Sequence, residues 1–390
     1  MKKASVLFFL IFPLTVFAAE LARGPYVEDA QLTSASVRWG VNAPVQAWLE
    51  YGPKPDCSQI MTNSPQGMEH KVTLLGLAPN KEYCYRVYVV NNKGDGVQNP
   101  VEGSFKTLYG PERKIVKFVI FGNTAGGGEL MPQLAQKAAS YNPDFFIHTG
   151  NLVTGGLAAN VNTEFFGPFA ALLRTAPMFI AIGDQEYGAN MANQDGKNFL
   201  RQNYSRFHTM PWTRGTPNFF SFDTANARII FLDASSAQGA IFAPDISKDS
   251  PQYAWLKSTL ANTPSGMWKI VVMHASPYST GEKGSNTAAR DAFAGLFETY
   301  GVNAVFEGGD LDYERTFPLK DGVENPRGVT YINFGTGAAP ALSKRDKKDE
   351  WTARFYSGQV YGVGEIVDRK MTIKVYSLDD KLIETVEIYM

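Results

Sequence analysis

The sequence is short of the residues that most catalytic and metal chemistries need. Its 390 residues include 4 histidines and 2 cysteines, little material for a histidine cluster or a thiolate cage. No charge of one sign dominates: 37 basic residues stand against 38 acidic ones. That balance gives no pull towards nucleic acid or an anionic membrane surface. Past the first residues no apolar run approaches the roughly 20 residues needed to span a bilayer. A Gly-x-Ser-x-Gly elbow, a Walker loop and a Cys–His pairing are also missing, so the usual serine, P-loop and cysteine chemistries lack their key groups. Repeats and low-complexity tracts are absent as well.

What is present is an ordinary globular composition, 44% hydrophobic, in a chain longer than one core usually serves, so two domains are expected. Lys2 and Lys3 precede an apolar run from Val6 to Phe12 that continues past Pro13 from Leu14 to Phe17. Val16-Phe17-Ala18 then offers small residues where a signal peptidase reads. Residues 1–18 are expected to be a cleaved signal peptide, without a cysteine for a lipid anchor, and the mature protein to be periplasmic or secreted.

Residues 19–108 carry short alternating runs separated by turn signals: Ser34 to Trp39, Gln46 to Tyr51, His70 to Leu75, Tyr83 to Val90 and Val101 to Thr107. Leu77-Ala78-Pro79-Asn80-Lys81-Glu82-Tyr83 leads into alternating Tyr85 and Val87, the pattern of a tyrosine corner at a late sandwich strand. This stretch resembles a fibronectin type III-like module. Strand alternation points Tyr83, Tyr85 and Val87 inwards and Cys84 outwards. Cys57 and Cys84 are either a disulfide formed in an oxidising compartment or two small buried thiols.

After a linker at Tyr109-Gly110-Pro111 the rhythm becomes strand, loop, helix, strand through residues 114–390. Strands are expected at Lys117 to Phe121, Asp144 to His148, Met178 to Ile182, Arg228 to Leu232, Lys269 to Met273 and Ala304 to Phe306. Helices are expected at Glu129 to Ser140, Gln252 to Leu260 and Thr287 to Tyr300, and the tail from Tyr361 to Ile388 returns to β. The expected fold class is therefore α/β, a layered sheet core with flanking helices, preceded by an all-β sandwich.

Sites in open α/β sheets form beyond the carboxyl ends of strands. Five such loops carry polar residues: Gly122-Asn123-Thr124 with Gly126-Gly127-Gly128, then Gly150-Asn151, then Gly183-Asp184-Gln185-Glu186, then His274, then Gly308-Gly309-Asp310-Leu311-Asp312. With the run Asp312-Tyr313-Glu314-Arg315-Thr316-Phe317-Pro318-Leu319, their order and spacing resemble the calcineurin-like metallophosphoesterases, and among them the purple acid phosphatases with an N-terminal fibronectin-like domain.

The resemblance implies two metal ions about 3.5–4 Å apart that clamp a phosphate ester and generate a hydroxide nucleophile. The family pattern has Asp in the first loop, a bridging Asp in the second, Asn then a catalytic His in the third, His in the fourth and His-x-His in the fifth. Here those positions hold Asn123, Asn151, Asp184, Gln185, His274, Gly309 and Leu311, and only His274 matches. An Asn amide offers a neutral oxygen beside a competing NH2, Gly309 and Leu311 offer no donor, and the amide of Gln185 does not titrate, so no catalytic residue is expected to function.

A degenerate metal site at Asn123, Asn151, Asp184 and His274 remains an expectation, with no cofactor or at most one divalent ion (Zn, Mn or Fe). Asp310 and Asp312 flank the vacated positions. Gly126, Gly127 and Gly128 precede a helix and are a weak candidate anion nest, while His148 and His208 are read as structural.

The leading reading is a pseudo-phosphatase that has lost two-metal hydrolysis and binds an unidentified protein or phosphorylated ligand through the old cleft. The alternatives are a weak or altered hydrolase with one metal, and an adhesion or docking module acting through the fibronectin-like domain.

Overall fold

The computed structural model describes residues 19–89, 100–157, 159–188, 216–340, 342–345 and 349–390. The signal-peptide segment and His208 lie outside the described residues. Five strands build the N-terminal part: β1 (Leu21–Glu28), β2 (Ser34–Pro53), β3 (Ile60–Leu75), β4 (Glu82–Val89) and β5 (Val101–Lys106). The expected separate runs at 34–39 and 46–51 are one long strand, β2. Its first half pairs with β1 and its second half with β4, while β3 follows it along both halves. Register shifts between Gly40 and Ala47 mark where this ribbon turns from one layer to the other, as bulges do in strands that change layers.

The layers close on a core that includes Val37, Trp39, Leu49, Tyr83, Tyr85 and Phe105. The Tyr83 hydroxyl accepts the Ala78 amide at 2.8 Å, closing the corner. Cys84 lies on the face opposite Tyr83 and Tyr85, yet it is only 5% exposed. The turn carrying Cys57 covers it, and the two sulfurs are bonded, with their Cα atoms 5.1 Å apart, inside the ordinary disulfide range.

From residue 115 two sheets stack face to face. The first holds β6 (Ile115–Phe121), β7 (Phe145–His148) and β8 (Met178–Ile180) in parallel. The second holds β9 (Phe220–Thr224), β10 (Ala227–Phe231), β11 (Trp268–Val272), β12 (Ala304–Glu307), β13 (Tyr313–Thr316), β16 (Thr330–Phe334) and β17 (Thr352–Tyr356), with β14 (Leu319–Lys320) and β15 (Val323–Glu324) as a small hairpin beside it. Strands β10, β11, β12 and β16 run parallel. The tail strands β18 (Val360–Val367), β19 (Lys370–Ser377) and β20 (Leu382–Tyr389) extend the first sheet from β6 in antiparallel fashion. Turns at Asp368 and Asp380 adopt positive φ, which Asp tolerates.

Phenylalanines fill the space between the sheets. Phe118 meets Phe306 at 5.9 Å and Phe179 stacks on Phe222 at 3.9 Å between centroids. Helices α1 (Leu130–Ser140) and α2 (Ala170–Leu173) belong with the first sheet, and α3 (Pro251–Ala261) and α4 (Thr287–Thr299) cover the second. In α3, Ser250 caps the N-terminus and Pro251 opens the first turn, the positions these residues favour. Among the described residues no helix is long and apolar enough to cross a membrane.

Substituting Tyr83→Phe removes the corner bond without changing packing volume. Urea denaturation is expected to show a loss of about 1 kcal/mol with the slope unchanged; an unaltered midpoint would mean that the corner contributes nothing.

Candidate functional site

The parallel strands of both sheets deliver their carboxyl ends to one edge, where all five loops meet. Asn123 lies in the loop just after β6 and Asn151 in the loop just after β7, both at positive φ, a conformation Asn accepts more readily than most residues. The Asn123 side-chain amide donates to the carbonyls of Gly308 and Gly335 at 2.6 and 2.8 Å, joining the first loop to two loops of the other sheet.

Asn151 is engaged at both ends of its amide. Its Nδ2 donates to Asp184 Oδ1 at 3.0 Å, and its Oδ1 accepts the Gln185 amide at 3.0 Å. The same Asp184 oxygen lies 3.1 Å from His274 Nε2, off the line of a hydrogen bond. The other ring nitrogen, Nδ1, donates to the Thr149 carbonyl at 2.8 Å. His274 is fully buried while the Asp184 side chain keeps 22% exposure, so Asp184 forms the solvent-facing end of this chain of contacts. Burial pushes the Asp184 carboxyl up, but the His274 ring and the Asn151 amide outweigh it and hold the group below the usual carboxylate range.

The remaining expected site residues take different places. Gln185 turns its side-chain oxygen to the Gly155 amide at 3.0 Å. A Cβ on Gly309 would lie 2.9 Å from Ser276 N and 3.0 Å from Ser276 Oγ, so the position of the missing histidine is filled by neighbouring backbone. The Leu311 amide bonds Asp310 Oδ1 and Ser343 Oγ at 2.9 and 3.1 Å. Asp310 spends its carboxylate on the amides of Lys283, Gly284 and Leu311 and the hydroxyls of Ser279 and Ser343. Asp312 takes Asn333 Nδ2 on one oxygen at 2.7 Å and leaves the other without a partner. Burial, then Asp310, pushes the Asp312 carboxyl up to about 8.

In the glycine loop the Gly126 amide points at Glu164 Oε2 at 3.3 Å, and the Thr154 amide reaches the same oxygen at 2.7 Å. The protein's own carboxylate occupies that place. His148 is buried between Thr124 Oγ1 at 3.0 Å and the Gly150 amide, which donates to its Nδ1 at 3.1 Å. Burial and then the nearby His274 lower its pKa to about 3, so the ring is neutral.

Sequence reasoning missed Glu186. Its buried carboxylate accepts the amides of Asn151 and Gly183 on one oxygen and that of Leu152 on the other, at 2.9, 2.7 and 2.8 Å. It thereby clamps the second loop to the third. The available signal was a Glu three residues after the Gly183 that opens a helical turn, half of a capping box.

The family model described as calcineurin-like phosphoesterase matches residues 88–313. Purple acid phosphatase 21 of Arabidopsis thaliana is 26% identical over 361 residues, covering 89% of this chain and 76% of that protein. Purple acid phosphatase 18 of the same plant is 23% identical, covering 88% and 75%. Among solved structures, purple acid phosphatase PPD1 from yellow lupin superposes with a TM-score of 0.78 at 18% identity, covering 95% of this chain and 74% of that one. PhoD superposes with a TM-score of 0.70 at 13% identity, covering 98% and 93%. At these identities the structural likeness is one of fold.

These relatives overturn one expectation. No cofactor, or at most one divalent ion, does not stand against kinship with purple acid phosphatases, which are dinuclear metal enzymes, over nearly the whole chain. The expectation rested on the six altered side chains. The residues present nevertheless do not fit the family's donor set for a metal pair. The Asn123 and Asn151 amides are turned to protein partners, and among the described residues no group of three or more His, Cys, Asp or Glu is arranged to hold an ion.

Glu186→Ala strips three buried amides of their acceptor and is expected to cost about 3 kcal/mol in chemical denaturation; a change below about 0.5 kcal/mol would refute the clamp. For His148 the folded pKa of about 3 lies below the ordinary 6.5, so between those values the unfolded chain binds a proton that the folded chain refuses. Its contribution to stability is full above about pH 6.5 and declines as the pH falls towards 3. In an NMR titration the His148 ring should stay neutral at pH 5, and a midpoint near 6.5 would contradict its burial.

Proposed function

The chain belongs to the calcineurin-like phosphoesterase family, and from that premise we propose that it is an exported pseudo-phosphatase, which binds a phosphorylated ligand or a partner protein through the family's cleft without hydrolysing phosphomonoesters. One observation carries this reading. The Asn151 amide donates to Asp184 Oδ1 and accepts the Gln185 amide, so the side chain at the bridging-ligand position is spent on protein partners.

The chemistry of the third loop supports the same reading. Where a family member places an imidazole to protonate the leaving alkoxide, Gln185 offers an amide already bonded to Gly155, and an amide cannot relay a proton. A lost general acid alone costs typically 10²–10⁴-fold, and here the change is compounded at the other loops. Export is supported by the charged and apolar opening of the sequence, with small residues ending at Ala18.

A second reading assigns docking to the N-terminal sandwich. It draws on exposed apolar side chains of β3, where Ile60, Met61, Met68 and Leu75 are 44–71% accessible. Deleting residues 20–108 without loss of partner binding would remove this reading.

The test of the first reading is steady-state release of phosphate from p-nitrophenyl phosphate by the full-length mature protein supplied with Zn²⁺, Mn²⁺ and Fe. The rate is expected to match that of an Asp184→Ala, His274→Ala double variant. A metal-dependent rate that the double variant lacks would show a working hydrolase.

A further inference from the structure

The sandwich meets the rest of the chain along β5, and a groove follows that seam. Two adjoining depressions of about 510 and 430 Å³ share Lys54, Ser104, Ala171 and Thr175. Their lining includes Cys57 and Cys84 at one end and Phe105 at the other. Asp144, just before β7, also lines the groove, which places it at the strand end opposite to Asn151.

The charges of this groove are paired with one exception. Lys54 binds Glu82 at 2.5 Å, Lys106 reaches Asp144 at 3.5 Å, and Arg86 holds Glu102 at 2.7 Å. The Arg174 guanidinium makes no ion pair or hydrogen bond with the described residues, and its Nε is buried without a partner. A buried donor left unpaired is costly, and a charged one more so.

The backbone beneath this side chain is fixed. The Arg174 carbonyl accepts the Ser104 amide at 3.0 Å and the Tyr85 hydroxyl at 3.1 Å. Gly103 allows that approach, since a Cβ there would stand 2.3 Å from Tyr85 Oη and 2.7 Å from the Arg174 carbonyl oxygen. The seam thus holds one uncompensated positive charge at a set position in a space of ligand size, roughly 300–1,000 Å³ for small-molecule sites.

We propose that this groove binds a small carboxylic acid as its monoanion, with Arg174 holding the carboxylate and the disulfide, Pro55 and Ala171 receiving the apolar body. One unmatched cation calls for one negative charge, and the planar guanidinium fork matches a carboxylate in a two-bonded arrangement. A phosphomonoester would bring nearly two charges at neutral pH and leave the second uncompensated. The site is separate from the five-loop cleft and does not depend on the pseudo-phosphatase reading.

Benzoate and inorganic phosphate titrated calorimetrically into the intact mature protein test this. Benzoate is expected to bind saturably at one site and more tightly than phosphate. Its affinity should fall at least tenfold in Arg174→Gln and be abolished in Ala171→Trp, which fills the groove from α2, while Asp184→Ala leaves it unchanged. The proposal is overturned if the unmodified protein shows no saturable benzoate binding, if Arg174→Gln and Ala171→Trp bind as it does, if Asp184→Ala alone abolishes binding, or if phosphate binds more tightly than benzoate.

Discussion

Everything at the functional edge of this protein depends on how buried polar groups at five strand ends satisfy one another. Parallel strands from two stacked sheets end there, and the loops bring largely buried backbone amides and carbonyls together. In a two-metal family the cations draw carboxylates and imidazoles together and offset their charge. In this chain amides do the joining. An Asn side chain both donates and accepts, so Asn123 can tie the first loop to the carbonyls of Gly308 and Gly335, and Asn151 can tie the second loop to Asp184 and Gln185. A carboxylate at either place could only accept. The buried Glu186 carboxylate then serves as a backbone clamp, with three amides as its partners.

The same logic explains why the cleft is not simply a two-metal site with its ligands erased. Backbone has closed around Gly309, where a side chain would meet Ser276, and Glu164 sits on the amides of Gly126 and Thr154. His274, the one position that matches the family pattern, is held by the Thr149 carbonyl on one side and faces Asp184 on the other. What stays accessible is the Asp184 end of that contact chain, and a ligand entering the cleft would meet it first.

Much of the frame was legible in the sequence because it rests on local patterns. The compact apolar runs of β6, β7, β10 and β11 and the capped helices α3 and α4 follow from periodicity and end signals within a few residues. The five loops were legible because each follows such a strand. What stayed hidden depends on partners distant in sequence. The two runs of β2 read as separate strands because the shift after Gly40 leaves no apolar signature. Glu186 drew no role of its own from the sequence because its partners Asn151 and Leu152 lie more than thirty positions away. The crowding at Gly309 arises from Ser276 on a neighbouring strand end. The metal expectation rested on the six altered side chains and is overturned by the kinship with dinuclear purple acid phosphatases.

The central claim is that the cleft recognises a phosphorylated group without cleaving it. Phosphorus-31 NMR of phosphoserine, mixed at equal concentration with the intact mature protein and supplied with Zn²⁺, Mn²⁺ and Fe, addresses both halves of that claim at once. The account predicts an ester resonance that shifts or broadens on binding and never converts to inorganic phosphate. Conversion to inorganic phosphate at a rate that Asp184→Ala abolishes would contradict it.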